Sequence, residues 1–260
     1  MTAIAQLLGL HTLENEAILI TGASSGIGEA SARLLAPLAR RLFLVARRQD
    51  RLEALQRELG PAKVAILAGD LTQVDFREEL KQRGFFGVDI LINNAGLARG
   101  LANVAEASSV HWQEMIDLNI TAAFAVVKHC LPYMQEQQRG HIVNLTSIAA
   151  HHSYARGSVY CASKAALLSF AQALRSELCA ENIRVSNISP GMTETEFSLV
   201  RFSGDAAQAA KVYDQVAPLT GLDIARQIVW ALAQPPHINL DEIYLTPLAQ
   251  GEIGKIARKG

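Results

Sequence analysis

Between residues 17 and 245, unbroken apolar runs of strand length alternate with stretches of helix length, and the first run ends in a glycine-rich turn. No repeat, low-complexity tract or linker divides the pattern. These observations predict an α/β fold, a single doubly wound parallel sheet with helices on both faces. Continuous apolar strands suit a parallel sheet buried on both sides. Helical returns between such strands are right-handed.

Taken in order, residues 1–15 read as an N-terminal extension with a short helix over 4–10, and the domain occupies 16–260. The first strand is expected at 17–20, followed by a helix at 27–38 and a strand at 42–46. A helix at 50–59 leads to a strand at 64–68, and a helix at 74–83 to a strand at 89–93. One long helix at 108–137 precedes a strand at 141–145. A second at 158–181 precedes a strand at 184–188, and a helix at 224–233 with a strand at 242–245 closes the domain. The segment 193–220 is the longest interruption. It follows the carboxyl end of a strand, where open α/β sheets bind ligands, so it reads as a substrate lid.

The 260 residues are half apolar and carry 24 basic against 25 acidic side chains. A net charge of −1 provides no global field for nucleic acid or an anionic membrane. No apolar run is long enough to span a bilayer, and the start has no signal-peptide pattern. Cys130, Cys161 and Cys179 form neither a disulfide framework nor a zinc set, and His141, His151 and His152 are no ligand cluster. A cytoplasmic protein that needs no metal is the expectation.

The turn after the first strand is TGASSGIG at 21–28. Gly22 permits a tight turn, Gly26 lets a phosphate approach the backbone, and Gly28 lets helix and strand pack. Thr21, Ser24 and Ser25 supply capping hydroxyls, and Ile27 begins a helix whose free N–H groups would face a pyrophosphate. The glycine spacing differs from the common G-x-G-x-x-G fingerprint. The second strand ends in Arg47 and Arg48, where an acid would bind a ribose 2′-hydroxyl and repel a 2′-phosphate. Guanidinium forks suit phosphate, so NADP is expected rather than NAD.

Tyr160 and Lys164 are four residues apart on a helix and therefore share a face. At ~5 Å and an effective dielectric of ~20, the ammonium would favour the phenolate by roughly 3 kcal/mol, about two pKa units. That would bring the phenol toward neutral pH, useful for proton transfer.

Together these motifs resemble the short-chain dehydrogenase/reductase family from residue 17 to 245. The glycine loop matches TGxxxGxG, Asn93, Asn94, Ala95 and Gly96 match NNAG, and Asp70 with Leu71 matches the acidic-apolar pair beside the adenine. Pro190, Gly191 and Thr193 match the family's PG…T segment. Asn119, Ser147, Tyr160 and Lys164 match its catalytic tetrad, with thirteen residues from Ser147 to Tyr160. The resemblance implies a Rossmann-type fold and an enzyme in which a nicotinamide cofactor carries the redox chemistry. Tyr160 would be the acid or base, and Ser147 would hold the substrate oxygen. Lys164 would bind the nicotinamide ribose, and Asn119 would anchor a water connecting Lys164 to solvent. The family also implies a homo-oligomer, a tetramer or dimer packed through the two long helices.

The run TEFSLVRF at 195–202, Gly204 and Asp205, Ala46 to Arg48, and PPHIN at 235–239 resemble the branch of NADP-dependent 3-hydroxy acid dehydrogenases. That branch includes serine and allo-threonine dehydrogenases and reductases of malonic semialdehyde, so a small 3-hydroxy acid of the serine, allo-threonine or 3-hydroxypropionate type is expected. A carboxylate substrate needs a cation, and Arg201 in the expected lid is the candidate, with Arg99 and Arg156 as rivals. A broader ketone or 3-oxoacyl reductase is the alternative. A nonenzymatic NADP(H)-binding sensor is a remote one, because such proteins commonly lose the Tyr or Lys.

Overall fold

A computed structural model of the chain describes residues 9–73, 76–82, 84 and 87–258. β1 (Ala17–Thr21), α1 (Gly26–Leu35), β2 (Arg41–Ala46), α2 (Gln49–Leu59) and β3 (Val64–Ala68) form the first half. They are followed by α3 (Phe76–Gln82) and β4 (Ile90–Asn93). The expected limits of α3, Val74 and Arg83, lie outside the described residues, as does most of the helix expected at 4–10; Gly9 and Leu10 are not helical. The second half begins with α4 (Ser109–Ile116), a π-helical turn (Asp117–Ala122), α5 (Ala123–Gln137) and β5 (Gly140–Leu145). Then come α6 (Ser158–Leu178) and β6 (Ile183–Pro190).

The strand order is β3-β2-β1-β4-β5-β6 and then β9 (Glu242–Leu245), and every adjacent pair is parallel. The order reverses direction between β1 and β4, which opens a crevice at their carboxyl ends. Alternation along β1 divides the core. Ile18 and Ile20 pack with Leu35 of α1 and with Ile224 and Ile228 of α9 (Gly221–Leu232), whereas Leu19 packs with Val126 of α5 and Leu174 of α6. These side chains are fully or almost fully buried, each worth about 1.5–3 kcal/mol of transfer free energy. Helices on both faces account for the unbroken apolar strands.

One feature departs from the sequence reading and two add detail to it. The stretch 108–137 is two α-helices joined by the π-helical turn, because an extra residue is accommodated there. The segment 193–220 is closed at its base by a short parallel pair, β7 (Thr193–Glu194) with β8 (Leu219–Thr220). Between them lie α7 (Phe197–Arg201) and α8 (Ala206–Val212). The Leu219 amide donates to the Met192 carbonyl at 3.0 Å. A final hairpin, β10 (Gln250–Glu252) with β11 (Lys255–Ile256), folds back toward the strand ends and had no sequence signal.

Candidate active site

The carboxyl ends of β1, β4, β5 and β6 open onto a cleft of about 730 Å³, bounded on its far side by the segment 193–220. At the β1 end, the Thr21 hydroxyl accepts from the amides of Asn94 and Ala95 at 3.0 and 2.9 Å. This couples the glycine loop to the end of β4. Gly22 and Gly26 adopt φ of +67° and +56°, in the left-handed region that favours glycine. Ser25 is the N-cap of α1 but makes no side-chain capping bond, so the first turn of α1 offers free N–H groups beside the cleft. That arrangement fits a pyrophosphate. Gly22, Ser24, Ser25, Gly26 and Ile27 line the cleft. Gly28 acts from behind: a Cβ there would lie 2.4 Å from the Gly22 carbonyl oxygen.

Farther along, Ala95, Gly96, Asp70, Leu71, Arg47 and Arg48 also line the cleft, as do Pro190, Gly191 and Thr193. Asn93 does not; its side-chain amide is a strut, donating to the Ala123 carbonyl and to Asn144 Oδ1, both at 3.1 Å. The Asp70 carboxylate accepts from the Thr72 amide and hydroxyl at 2.9 and 2.8 Å. Arg47 is exposed. The Arg48 guanidinium donates to Ser24 Oγ at 3.2 Å and to Glu196 at 2.7 Å, and Arg51 donates to the other Glu196 oxygen at 2.6 Å.

At the β5 end stands the group named from the sequence. Ser147 follows the end of β5 by two residues and caps the turn Ile148–Ala150, its hydroxyl accepting from the Ala149 amide at 3.1 Å. Ser147 thus both caps this turn and lines the cleft. Tyr160 and Lys164 are buried on one face of α6, and both line the cleft. Lys164 Nζ donates to the Leu145 carbonyl at 2.8 Å.

Asn119 lies in the π-helical turn and is buried. Its amide donates to the Leu97 carbonyl at 2.8 Å and to Ser163 Oγ at 3.0 Å, and its Oδ1 accepts from the Leu97 amide at 2.9 Å. A Cβ on Gly96 would lie 3.1 Å from Asn119 Oδ1 and 3.2 Å from Lys164 Nζ, so glycine makes room for both.

The electrostatics correct one expectation. Burial pushes the Tyr160 phenol up to about 12, reinforced by Tyr154 and opposed by a hydrogen bond with Ser147 and by Arg201. Burial pushes Lys164 down to about 8. The sequence reading gave the opposite direction for Tyr160, because it weighed the ammonium's attraction without the removal of both groups from water. Lys164 also directs its ammonium toward the Leu145 carbonyl.

Of the three candidate cations, Arg201 lies beside Tyr160. Its guanidinium lies against the rings of Tyr160, Tyr154 and Phe197 and hydrogen-bonds the Tyr154 hydroxyl, while its Nε is buried with no hydrogen-bond partner among the described residues. Arg99 is engaged with Glu114 and with the Val200 carbonyl, tying α4 to the end of α7. Arg156 lines a separate small cavity of about 30 Å³ rather than the cleft.

Four contributors escaped the sequence reading. Tyr154 sits in a polar loop and packs so tightly that a Cβ on Gly157 would be 2.2 Å from its ring. Gln250 of the hairpin accepts from the Met192 amide at 2.8 Å, at the cleft wall. Arg51 and Glu196 complete the ionic bridge; the three-residue step from Arg48 to Arg51 at the start of a helix was the available signal for Arg51. Among the described residues no His, Cys, Asp and Glu cluster could hold a metal ion.

A doubly wound sheet, an uncapped helix behind a glycine loop, and a buried Ser-Tyr-Lys group at one cleft define a dinucleotide-dependent class of α/β protein. The family model for short chain dehydrogenase matches residues 16–204, and the chain belongs to that family. Serine 3-dehydrogenase of Agrobacterium fabrum is 44% identical over 240 residues, covering 91% of this chain and 96% of that protein. NADP-dependent 3-hydroxy acid dehydrogenase of Schizosaccharomyces pombe is 39% identical over 257 residues, covering 96% and 99%. A solved structure described as the closed form of serine dehydrogenase complexed with NADP+ superposes with a TM-score of 0.87 at 34% identity, covering 94% of this chain and all of that one.

Proposed function

We propose that this protein is an NADP-dependent oxidoreductase acting on the CH–OH group of a small 3-hydroxy acid of the serine, allo-threonine or 3-hydroxypropionate type. The observation that carries the substrate class is Arg201, a cation beside Tyr160 with a buried, uncommitted Nε. A carboxylate two bonds from the reacting carbon would meet that guanidinium while its hydroxyl reaches Ser147 and Tyr160. The names of the relatives support the same reading.

Gly22, Ser24, Ser25, Gly26 and Ile27 would hold the pyrophosphate, with Arg47 and Arg48 at the 2′-phosphate and Asp70 with Leu71 beside the adenine. Ala95, Gly96, Pro190, Gly191 and Thr193 would enclose the nicotinamide half, which, when bound, supplies or accepts the hydride. Ser147 can donate to and accept from the substrate oxygen. Tyr160, with its phenol raised to about 12, holds its proton at neutral pH and suits the donor role in carbonyl reduction. In alcohol oxidation it gives that proton up only when positive charge is brought beside it. Lys164, at about 8, is still mostly protonated at neutral pH. Asn119 braces Leu97 and Ser163, and the remaining lone pair on its Oδ1 would take a water linking Lys164 to solvent.

The segment 193–220 serves as the lid over this site, and residues 16–260 act as one domain behind the extension 1–15. A homodimer or homotetramer through the long helices is supported by exposed Val110, Ile116 and Tyr133 on α4 and α5, and by the half-buried stack of Phe124 on Phe170. No helix among the described residues is long and apolar enough to cross a membrane. Three unpaired cysteines support a reducing, cytoplasmic setting.

The test follows reduced nicotinamide by its ultraviolet absorbance with serine and threonine stereoisomers, 3-hydroxypropionate, 3-hydroxybutyrate and simple alcohols. Turnover confined to the carboxylates is expected. Equal turnover of uncharged alcohols or long 3-oxoacyl thioesters would replace this reading with the broader reductase.

A further inference from the structure

β2 ends without the acid that would favour an unphosphorylated ribose, yet an acid reaches the same place from across the cleft. Glu196, at the start of the lid segment, inserts its carboxylate between Arg48 and Arg51, one oxygen to each guanidinium at 2.7 and 2.6 Å. Arg48 is held in orientation by Ser24 of the glycine loop, to which it donates from Nε and from a terminal nitrogen. Thr195, beside Glu196, lies against the same loop, 3.2 Å from where a Cβ on Gly26 would stand. The carboxyl is held below its usual range; burial works against ionisation, and the hydrogen bonds from Arg51 and Arg48 outweigh it.

We propose that Glu196 is a cofactor-specificity residue, an acid supplied by the lid that occupies the Arg48–Arg51 fork and is displaced by a nucleotide 2′-phosphate. The fork carries two positive charges and Glu196 returns one negative. A phosphate monoester brings about 1.5–2 negative charges and three acceptor oxygens, so it outcompetes the carboxylate but cannot share the fork with it. A nucleotide with a free 2′-hydroxyl leaves Glu196 in place, in the role an acid at the end of β2 otherwise fills. Glu196 thereby narrows the preference for the phosphorylated cofactor. Arg51 is the second phosphate ligand, and NADP binding detaches the lid from α2.

The proposal rests on the NADP reading, and one experiment separates the two. Calorimetry would measure adenosine 2′,5′-bisphosphate and 5′-AMP binding to the full-length wild type, Glu196→Gln and Arg51→Ser at constant ionic strength. Tighter wild-type binding of the bisphosphate than of 5′-AMP supports the cofactor reading. Glu196→Gln is expected to bind the bisphosphate about five-fold tighter, about 1 kcal/mol at 1.4 kcal/mol per tenfold, with 5′-AMP within about two-fold of wild type. Arg51→Ser is expected to weaken the bisphosphate about ten-fold and leave 5′-AMP unchanged. An unchanged or weaker bisphosphate affinity in Glu196→Gln, or an equal gain for both nucleotides, overturns the proposal while leaving the cofactor reading intact. Equal wild-type affinities for the two nucleotides overturn both. Glu196 is partly exposed and its replacement is isosteric, so unchanged thermal melting accompanies the expected result.

Discussion

The guanidinium carbon of Arg201 lies 5.2 Å from the centroid of the Tyr160 ring, while Tyr154 and Phe197 flank it at 5.6 and 5.9 Å. Three aromatic rings hold this cation beside Tyr160, and among the described residues no carboxylate forms an ion pair with it. Replacing Arg201 by alanine should raise KM for a 3-hydroxy acid about 10- to 100-fold, as expected for loss of a charge-assisted hydrogen bond, and leave uncharged alcohols unaffected. Lysine at 201 should recover only part of this, because it lacks the planar fork. Steady-state kinetics on both substrate types checks it; equal KM changes for charged and uncharged substrates would mean that Arg201 acts only through packing.

Tyr160 is where proton transfer is assigned. Tyr160→Phe keeps the ring that packs on Phe197 and removes only the hydroxyl. Turnover should fall about 100- to 10,000-fold, the usual contribution of a positioned acid or base, with NADPH binding retained. Fluorescence titration with NADPH beside turnover assays tests both halves. A variant that turns over at the wild-type rate removes Tyr160 from the mechanism.

Much of this was legible in the sequence because it depends on local pattern. Apolar strands such as 17–20 predict their own burial on both faces, and the step from Tyr160 to Lys164 sets them on one face of α6 whatever surrounds them. What was not legible depends on nonlocal contact. The π-helical turn that buries Asn119 has no periodicity of its own, and Tyr154 gains its place from Gly157 and Arg201. The direction of the Tyr160 shift failed for the same reason: burial of the pair is a property of the assembled cleft. Glu196 read as part of a branch motif, and only the folded segment 193–220 brings it to Arg48 and Arg51.

The glycine loop provides a packing prediction. A Cβ on Gly28 would meet the Gly22 carbonyl oxygen at 2.4 Å and Asn94 Nδ2 at 2.7 Å. Neither neighbour is a free side-chain end: one is backbone, and the Asn94 amide donates to the Thr21 carbonyl at 2.8 Å. Gly28→Ala should therefore destabilise the fold by about 1–3 kcal/mol and weaken adenine-nucleotide binding, because relief of the clash must move the loop itself. Urea unfolding with nucleotide titration checks both, and wild-type values in each would show that the loop yields without cost.

Lys164 allows the sharpest pH test. Its folded pKa of about 8 is below the ordinary lysine value of 10.5, so between those pH values the unfolded chain binds more protons than the folded one. Unfolding free energy therefore rises with pH across that window. Below pH ~8 the penalty for holding a buried ammonium is present in full; above ~10.5 it is gone. A shift of about two and a half units corresponds to roughly 3 kcal/mol. Lys164→Met lacks this group, and every other titration is common to both proteins. The stability of wild type minus that of Lys164→Met should thus move in favour of wild type by up to about 3 kcal/mol between pH 7 and 10.5, measured by urea unfolding at each pH. Tyr160 acts in a higher window: raised from 10 to about 12, it stabilises the fold below pH ~10 and loses that contribution as pH climbs through 12. A stability difference that stays flat from pH 7 to 10.5 would show that the Lys164 ammonium is not held at a cost, and that the bond to the Leu145 carbonyl fully replaces its hydration.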